Sequence, residues 1–271
     1  MYPSIDEGPR NPGAPSAPVV VLLHGQPGTA ADWYRVVPLL SSDHRVIAVD
    51  RPGYAGDPTE ALDWAGNADA LLRMLDTLAI PEVILVAASW AGGVAVEVTA
   101  RAPARVAGLV FVAAVGGGGA ITLLDRLTAL RPVLAIGARL ARFTGASLAL
   151  PLTRASGSHL DEQAIREARL TLAVWRERRV WTAAAREQRY LIRDDELLRA
   201  TVALADVPAV VLQGTRDLTL PPRAGGELAR ALPQARLVEV SAGHMIAFEE
   251  PVTISSAVRS LTRGHTQRQA P

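Results

Sequence analysis

The sequence predicts an α/β fold: a mostly parallel central sheet flanked by helices, with a helical segment inserted into it. Three observations predict this. Short β-branched runs recur along the chain, amphipathic helical patterns alternate with them, and one long stretch carries helical pattern only. Strands alternating with helices imply βαβ units, whose crossovers bring neighbouring strands together in parallel.

The elements follow in order. The stretch "GPRNPGAPSAP" (8–18) is rich in Pro and Gly and reads as an irregular arm, so residues 1–18 are expected to be flexible. "VVVLL" (19–23) is short, β-branched and bounded by turn signals, which is the pattern of a buried strand. The same pattern recurs in "RVIAVD" (45–50), "EVILVAA" (82–88), "VAGLVFVAAV" (106–115), "PAVVLQG" (208–214) and "ARLVEVSA" (235–242). Helices are expected at 32–40, 67–78 and 92–101, and at "RAGGELARAL" between the last two strands.

Residues 116–205 break the rhythm, with Leu/Ala/Arg-rich helical pattern and no strand. They open on Gly116 to Gly119, a plausible hinge, and fall between the strands ending at 115 and starting at 208. That position predicts a lid over the C-terminal strand ends, where open parallel sheets bind ligands, in preference to helices on a sheet edge. The core is then 19–115 and 206–263, with 264–271 as a tail.

Composition excludes several function classes. The 271 residues are 49% hydrophobic, enough for a sizeable core, and the net charge of +1 gives no reason to expect nucleic acid or a membrane surface as partner. Every one of the 28 basic residues is Arg, which reads as codon bias and not as 28 functional choices. With no Cys, disulfides, thiolate catalysis and Cys-based metal sites are excluded. No signal-peptide pattern and no apolar run of about 20 residues is visible, so a soluble cytoplasmic protein is expected.

Acyl transfer by serine needs a nucleophile, a base, a carboxylate to orient the base, and donors for the oxyanion. Each has a candidate after its own strand. "AASWAGG" (87–93) has the outline of a nucleophile elbow, G-x-S-x-G, with Ala87 and Ala91 where glycines are expected. Alanine still permits the turn at Ser89, slightly opened, with strain of about 1–3 kcal/mol, while Gly92 and Gly93 let the helix pack closely. "HGQPG" (24–28) follows the first core strand and aims the backbone N–H of Gln26 at an oxyanion, with the N–H of Trp90 as second donor. His24, beside a buried turn, reads as a structural hydrogen-bonder. Asp217 in "GTRD" and His244 in "SAGHMIAFEEP" complete the order Ser…Asp…His. Asp206, Glu249 and Glu250 are the nearest competitors for the acid.

Together "HGQPG", "DRPGYAG" (50–56), "AASWAGG", "GTRD" and "GHMIAFEEP" resemble the motifs of the α/β-hydrolase fold superfamily, in particular its lid-bearing serine hydrolases. The resemblance covers most of residues 19–263 apart from the inserted segment. It implies Ser89 as nucleophile, His244 as base, Asp217 as acid, Gln26 and Trp90 as backbone donors, and no metal or organic cofactor. It departs from the family at Ala55, Ala87 and Ala91, where glycines are expected.

Position 89 narrows the chemistry. Haloalkane dehalogenases and epoxide hydrolases of this fold use a carboxylate nucleophile, because they displace at alkyl carbon; epoxide hydrolases also use two lid tyrosines, and Tyr190 is the only one in this insertion. Proline iminopeptidases share Trp after the serine but have Gly in place of Gln26, and need lid carboxylates. Glu162, Glu167, Glu177 and Glu187 are available, yet on Arg-rich helices they read as solvated partners of Arg. Leu220, Met245, Ile246 and Phe248 should form an apolar rim, with Trp175 or Trp181 lining a pocket; Trp33 and Trp64 read as packing residues. The expected activity is cleavage of an ester, thioester or lactone of a hydrophobic small molecule through an acyl-enzyme. Perhydrolase, carbon–carbon hydrolase and iminopeptidase chemistry remain alternatives, as does a non-hydrolysing receptor or biosynthetic role.

Overall fold

The computed structural model describes residues 1–9, 17–55, 57–117, 121, 125–126, 151, 153–171 and 177–269. Among them runs a seven-stranded sheet in the order β1-β3-β2-β4-β5-β6-β7. The strands are β1 (Tyr2–Glu7), β2 (Val19–Leu23), β3 (Val46–Asp50), β4 (Val83–Ala88), β5 (Val106–Val112), β6 (Ala209–Gly214) and β7 (Ala235–Val240). β1 is antiparallel to β3; every other pairing is parallel.

β1 corrects the reading of residues 1–18 as a flexible arm. "YPSIDE" is poor in strand-forming residues, so its partner and not its own propensity makes it a strand. Ser4 donates to Asp50 (2.5 Å) and Arg45 grips Asp6 through two bonds (3.0 and 2.9 Å), while Pro3 is tolerable because the strand is at the sheet edge. Of the Pro-rich stretch, residues 10–16 lie outside the described residues.

Alternate residues of the central strands separate two cores. Val21, Leu23, Leu85, Ala87 and Phe111 face α2 (Trp64–Thr77) and α3 (Gly92–Arg101). Val20, Leu22, Val86 and Val112 face the other way, toward the short α1 (Val37–Leu40) and the C-terminal helix. The inserted segment supplies α4 (Glu162–Thr171) and α5 (Arg178–Val202), after which come α6 (Pro222–Ala231), α7 (Ile246–Glu249) and α8 (Pro251–Gln269). α8 runs through residues 264–269, which therefore continue the core helix and are not a tail.

Leu191, Leu198 and Val202 of α5 join the α3-side core, so this helix is anchored along its length. Gly116 has φ +133°, but Gly117 lies so close to Ala224 O and Leu228 N of α6 that a Cβ there has no room. This end of the expected hinge is packed; Gly118, Gly119 and most of 120–152 lie outside the described residues. Ala55, standing where the resemblance expects glycine, takes φ +32°, in the left-handed region that favours glycine. Among the described residues no helix is long and apolar enough to cross a membrane.

Candidate active site

β4 ends at Ala88, and the chain turns through Ser89–Ala91 directly into α3. Ser89 has φ +50°, a strained conformation for a residue with a Cβ, and it persists because its surroundings over-determine it. Val115 N–H donates to Ser89 O (3.1 Å), and the turn is clamped between close neighbours on both sides. A Cβ on Gly25 would lie 2.9 Å from Ser89 Cβ, one on Gly92 would meet Val115 O at 2.5 Å, and one on Gly93 would run into the Trp64 indole. Ala87 and Ala91 are fully buried, so their methyl groups fit within the core. The glycines this elbow requires are Gly25, Gly92 and Gly93.

Two strand-end loops bring the other groups to Ser89. His244 Nε2 lies 3.1 Å from Ser89 Oγ, and Nδ1 lies 2.8 Å from Asp217 Oδ2. The Asp217 side chain is fully buried and held on both oxygens: Oδ1 accepts from the N–H groups of Thr219 and Leu220 (2.8 Å each), and Oδ2 also from Gln213 Nε2 (3.3 Å). With the His244 proton on Nδ1, donated to Asp217, Nε2 is left as an acceptor for the Ser89 hydroxyl. Two of the competing acids, Glu249 and Asp206, are engaged elsewhere. Glu249 accepts from Gly243 N–H (2.9 Å) and His159 N–H (3.0 Å) and pairs with Arg216, while Asp206 accepts from Gln234.

The oxyanion candidates sit opposite. Gln26 N–H has no protein acceptor among the described residues. Trp90 is the second residue of its turn, where backbone N–H groups lack an intrahelical partner. His24 is structural: it is completely buried, Nδ1 bonds Gly25 O (2.8 Å), and Nε2 accepts from Arg51 N–H (3.1 Å). Burial, helped by the nearby Arg51 charge, holds its pKa well below the ordinary value, so it stays neutral.

Two cavities meet at Ser89 and His244. The smaller, about 110 Å³, lies under the oxyanion loop against Asp32, Trp33, Ile246 and Phe248. The larger, about 440 Å³, opens toward α5 and is lined by Trp181, Gln188, Leu191, Leu220 and Met245. Of the expected rim residues, Leu220 and Trp181 thus face the larger chamber, Ile246 and Phe248 the smaller, and Met245 both; Trp175 lies outside the described residues. Trp33 is a packing residue, as expected, that also walls a chamber, and Trp64 packs on Trp90 with ring centroids 5.5 Å apart.

Glu187 overturns one expectation. Glu162 and Glu177 do pair with neighbouring Arg side chains in solvent, and Glu167 faces Arg35. Glu187 instead is completely buried and forks onto Arg51, with Tyr54 OH adding a bond of 2.7 Å. Burial opposes the Arg51 charge, yet the Glu187 carboxylate holds the Arg51 pKa above its ordinary value, so the guanidinium remains charged. None of these four glutamates lines either chamber. Nothing in the pattern of "DRPGYAG" singles out Arg51. A charged residue inside a turn motif was the available signal, but its partner is 136 residues away.

Asp32 was also missed. Its Oδ2 accepts from Thr29 N–H (3.1 Å), and burial pushes its pKa up to about 7.

A family model described as alpha/beta hydrolase fold matches residues 18–251. The chain belongs to this family. It is similar to the dihydrolipoyllysine-residue acetyltransferase component of an acetoin cleaving system from Pseudomonas putida, 31% identical over 261 residues, 91% of this chain and 64% of that protein. It is also similar to a haloalkane dehalogenase from Mesorhizobium japonicum, 36% identical over 99 residues, 36% of this chain and 32% of that protein. The chain thus spans less than two thirds of the length of either. The enol-lactonase from Burkholderia xenovorans LB400 superposes with a TM-score of 0.73 at 22% identity, covering 96% of this chain and 95% of that one, a likeness of fold.

Proposed function

We propose that this α/β-hydrolase is a serine hydrolase that cleaves an ester, thioester or lactone of a small hydrophobic molecule. The observation that carries the reading is the continuous relay Ser89–His244–Asp217, at 3.1 and 2.8 Å, ending on a strained serine where two cavities meet. Ser89 Oγ attacks the carbonyl carbon while His244 Nε2 takes its proton, and Asp217 stabilises the imidazolium. The carbonyl oxygen, now negative, is received by Gln26 N–H and Trp90 N–H. His244 then gives its proton to the departing alcohol or thiol, leaving an acyl-Ser89, which water activated by His244 hydrolyses. No step calls on a metal or organic cofactor.

Serine at position 89 argues against the dehalogenation named for one relative. Displacement at an alkyl carbon by a serine would leave an ether, with no carbonyl through which water could release it. A carboxylate nucleophile leaves an ester, which water can cleave. The chamber sizes support a substrate joining one short group to a larger apolar one.

The test is stoichiometric labelling with a fluorophosphonate, followed by a panel of p-nitrophenyl esters of graded chain length alongside thioesters and lactones. Labelling confined to Ser89 and turnover of short-chain esters are expected. A protein that neither labels nor turns over any of them is not a serine hydrolase, and the receptor or biosynthetic role takes its place.

A further inference from the structure

We propose that Arg51 is the positioning residue of the oxyanion hole, and that Glu187 of the inserted helix α5 holds Arg51 to that task. The inference rests on the serine-hydrolase reading above.

In a trans peptide unit the C=O and N–H point in opposite directions. The unit joining Gly25 and Gln26 is of this kind. Its carbonyl accepts from Arg51 Nη2 (2.8 Å) and bonds His24 Nδ1 (2.8 Å). Its N–H, the first oxyanion donor, is thereby turned away from Arg51, and Gly25 itself lies against Ser89. Arg51 also fixes the preceding unit, because its Nε donates to His24 O (2.8 Å) while its backbone N–H donates to His24 Nε2 (3.1 Å). One residue therefore makes three hydrogen bonds to the loop His24–Gly25, two to carbonyls and one to the His24 ring.

The same guanidinium bears on the second donor. Its carbon lies 4.7 Å from the centroid of a Trp90 ring, and Trp90 Nε1 donates to Glu187 O (3.1 Å). Trp64 Nε1 in turn donates to Trp90 O (3.0 Å), on the main chain beside the donor. Both halves of the hole are thus tied to the Arg51–Glu187 pair.

A buried guanidinium without a counter-ion is untenable, so the arrangement exists only while α5 is docked. Lysine replaces Arg51 in charge but not in geometry. An ammonium is a compact point charge, whereas the planar fork here meets two carbonyls on one side and a carboxylate on the other.

The experiment uses the full chain with Arg51→Lys, Arg51→Met and Glu187→Gln. Activity on p-nitrophenyl butyrate is expressed per serine titrated by fluorophosphonate, which removes any misfolded fraction from the rate. In Arg51→Met we expect kcat per titrated site to fall by about 10- to 100-fold, less than deletion of a donor costs, with KM moving by less than about threefold. Arg51→Lys and Glu187→Gln should show smaller falls of the same kind. The Ki of a trifluoromethyl ketone, whose adduct places a negative oxygen in the hole, should rise by the factor by which kcat/KM falls. A residue that merely stabilised the fold would lower the titrated fraction and leave kcat per site alone. If Arg51→Met does not fold, the other two variants carry the test. Unchanged kcat per site and unchanged Ki in the folded variants overturn the proposal, as does a rise in KM alone, which would make Arg51 a pocket wall. A wild type that neither labels nor turns over overturns the underlying reading, a result separate from these.

Discussion

His244 is oriented by Asp217, and Asp217 by Gln213, Thr219 and Leu220, all from the ends of two neighbouring strands. The oxyanion loop is oriented by Arg51, and Arg51 by Glu187, from a helix 136 residues further along the chain. In the acid–base half the side chains of His244 and Asp217 find their partners in these two loops and in Ser89. The inserted segment reaches only the loops' main chain, where Ser156 O accepts from Leu218 N–H and His244 N–H (3.2 Å each) and Ser158 Oγ from Met245 N–H (3.0 Å). The oxyanion half is conditional on an inserted helix docking correctly and bringing a buried charge with it. A substitution of Asp217 or His244 leaves those main-chain bonds in place and should change the chemistry alone. A mutation in the oxyanion half should change the chemistry and the attachment of the insertion together.

The largest effect is expected where the halves meet. Ser89→Ala should lower ester turnover by about 10⁴- to 10⁶-fold with the fold intact, read as kcat on a p-nitrophenyl ester beside the far-ultraviolet circular dichroism. A purified variant keeping a tenth of wild-type activity would remove Ser89 from the mechanism.

Next is Asp217→Asn, confined to the acid–base half. An amide at this position favours the wrong imidazole tautomer, so kcat should fall by about 10⁴-fold. Thermal stability should change little beside the rate, because Asn keeps an oxygen for the Thr219 and Leu220 N–H groups. A fall of less than tenfold would mean another carboxylate orients His244, against the engagement of Glu249 and Asp206 elsewhere.

The same contrast explains what could be read from the residues. Ser89, Asp217 and His244 each follow a hydrophobic run in the order the chemistry needs, so strand pattern plus motif was enough to bring them together. β1 was not legible, since Pro3, Ser4, Asp6 and Glu7 carry no strand signal and only the exposed edge of β3 makes them one. Glu187 was misread for a related reason. On an Arg-rich helix its spacing matches a solvated ion pair, and nothing local announces that this turn of α5 is buried against Arg51. Long-range partnership was the missing information in both instances.

The oxyanion half also carries a titrating group. Burial raises the Asp32 carboxyl from its ordinary 3.8 to about 7. Below pH 3.8 it is protonated in both folded and unfolded chains and contributes nothing. Between 3.8 and 7 only the unfolded chain ionises, so stability is lost as pH rises, levelling above about 7 at a cost of about 4 kcal/mol. Asp32→Asn keeps an oxygen for Thr29 N–H and removes the titration. It should raise the melting temperature at pH 8 and do so much less at pH 5; an equal shift at both would mean Asp32 titrates as an exposed carboxyl does.

The smallest effect on rate is expected at the two alanines that depart from the family pattern. If the Trp90 amide is held by Arg51, Glu187 and Trp64, then residues 87 and 91 matter little to its direction. Ser89 already adopts φ +50° with both alanines present, and both methyl groups are fully buried. Ala87→Gly with Ala91→Gly should therefore change kcat by less than about threefold, well short of the 10²- to 10³-fold that a lost donor costs. Stability should fall, because each glycine removes a buried methyl worth about 0.8 kcal/mol and adds freedom to the unfolded chain. Steady-state kinetics and thermal unfolding of the double variant measure the two separately. A gain in kcat of tenfold or more would show that the alanines hold the Trp90 amide off its position, and that the elbow sets the oxyanion hole from within its own sequence.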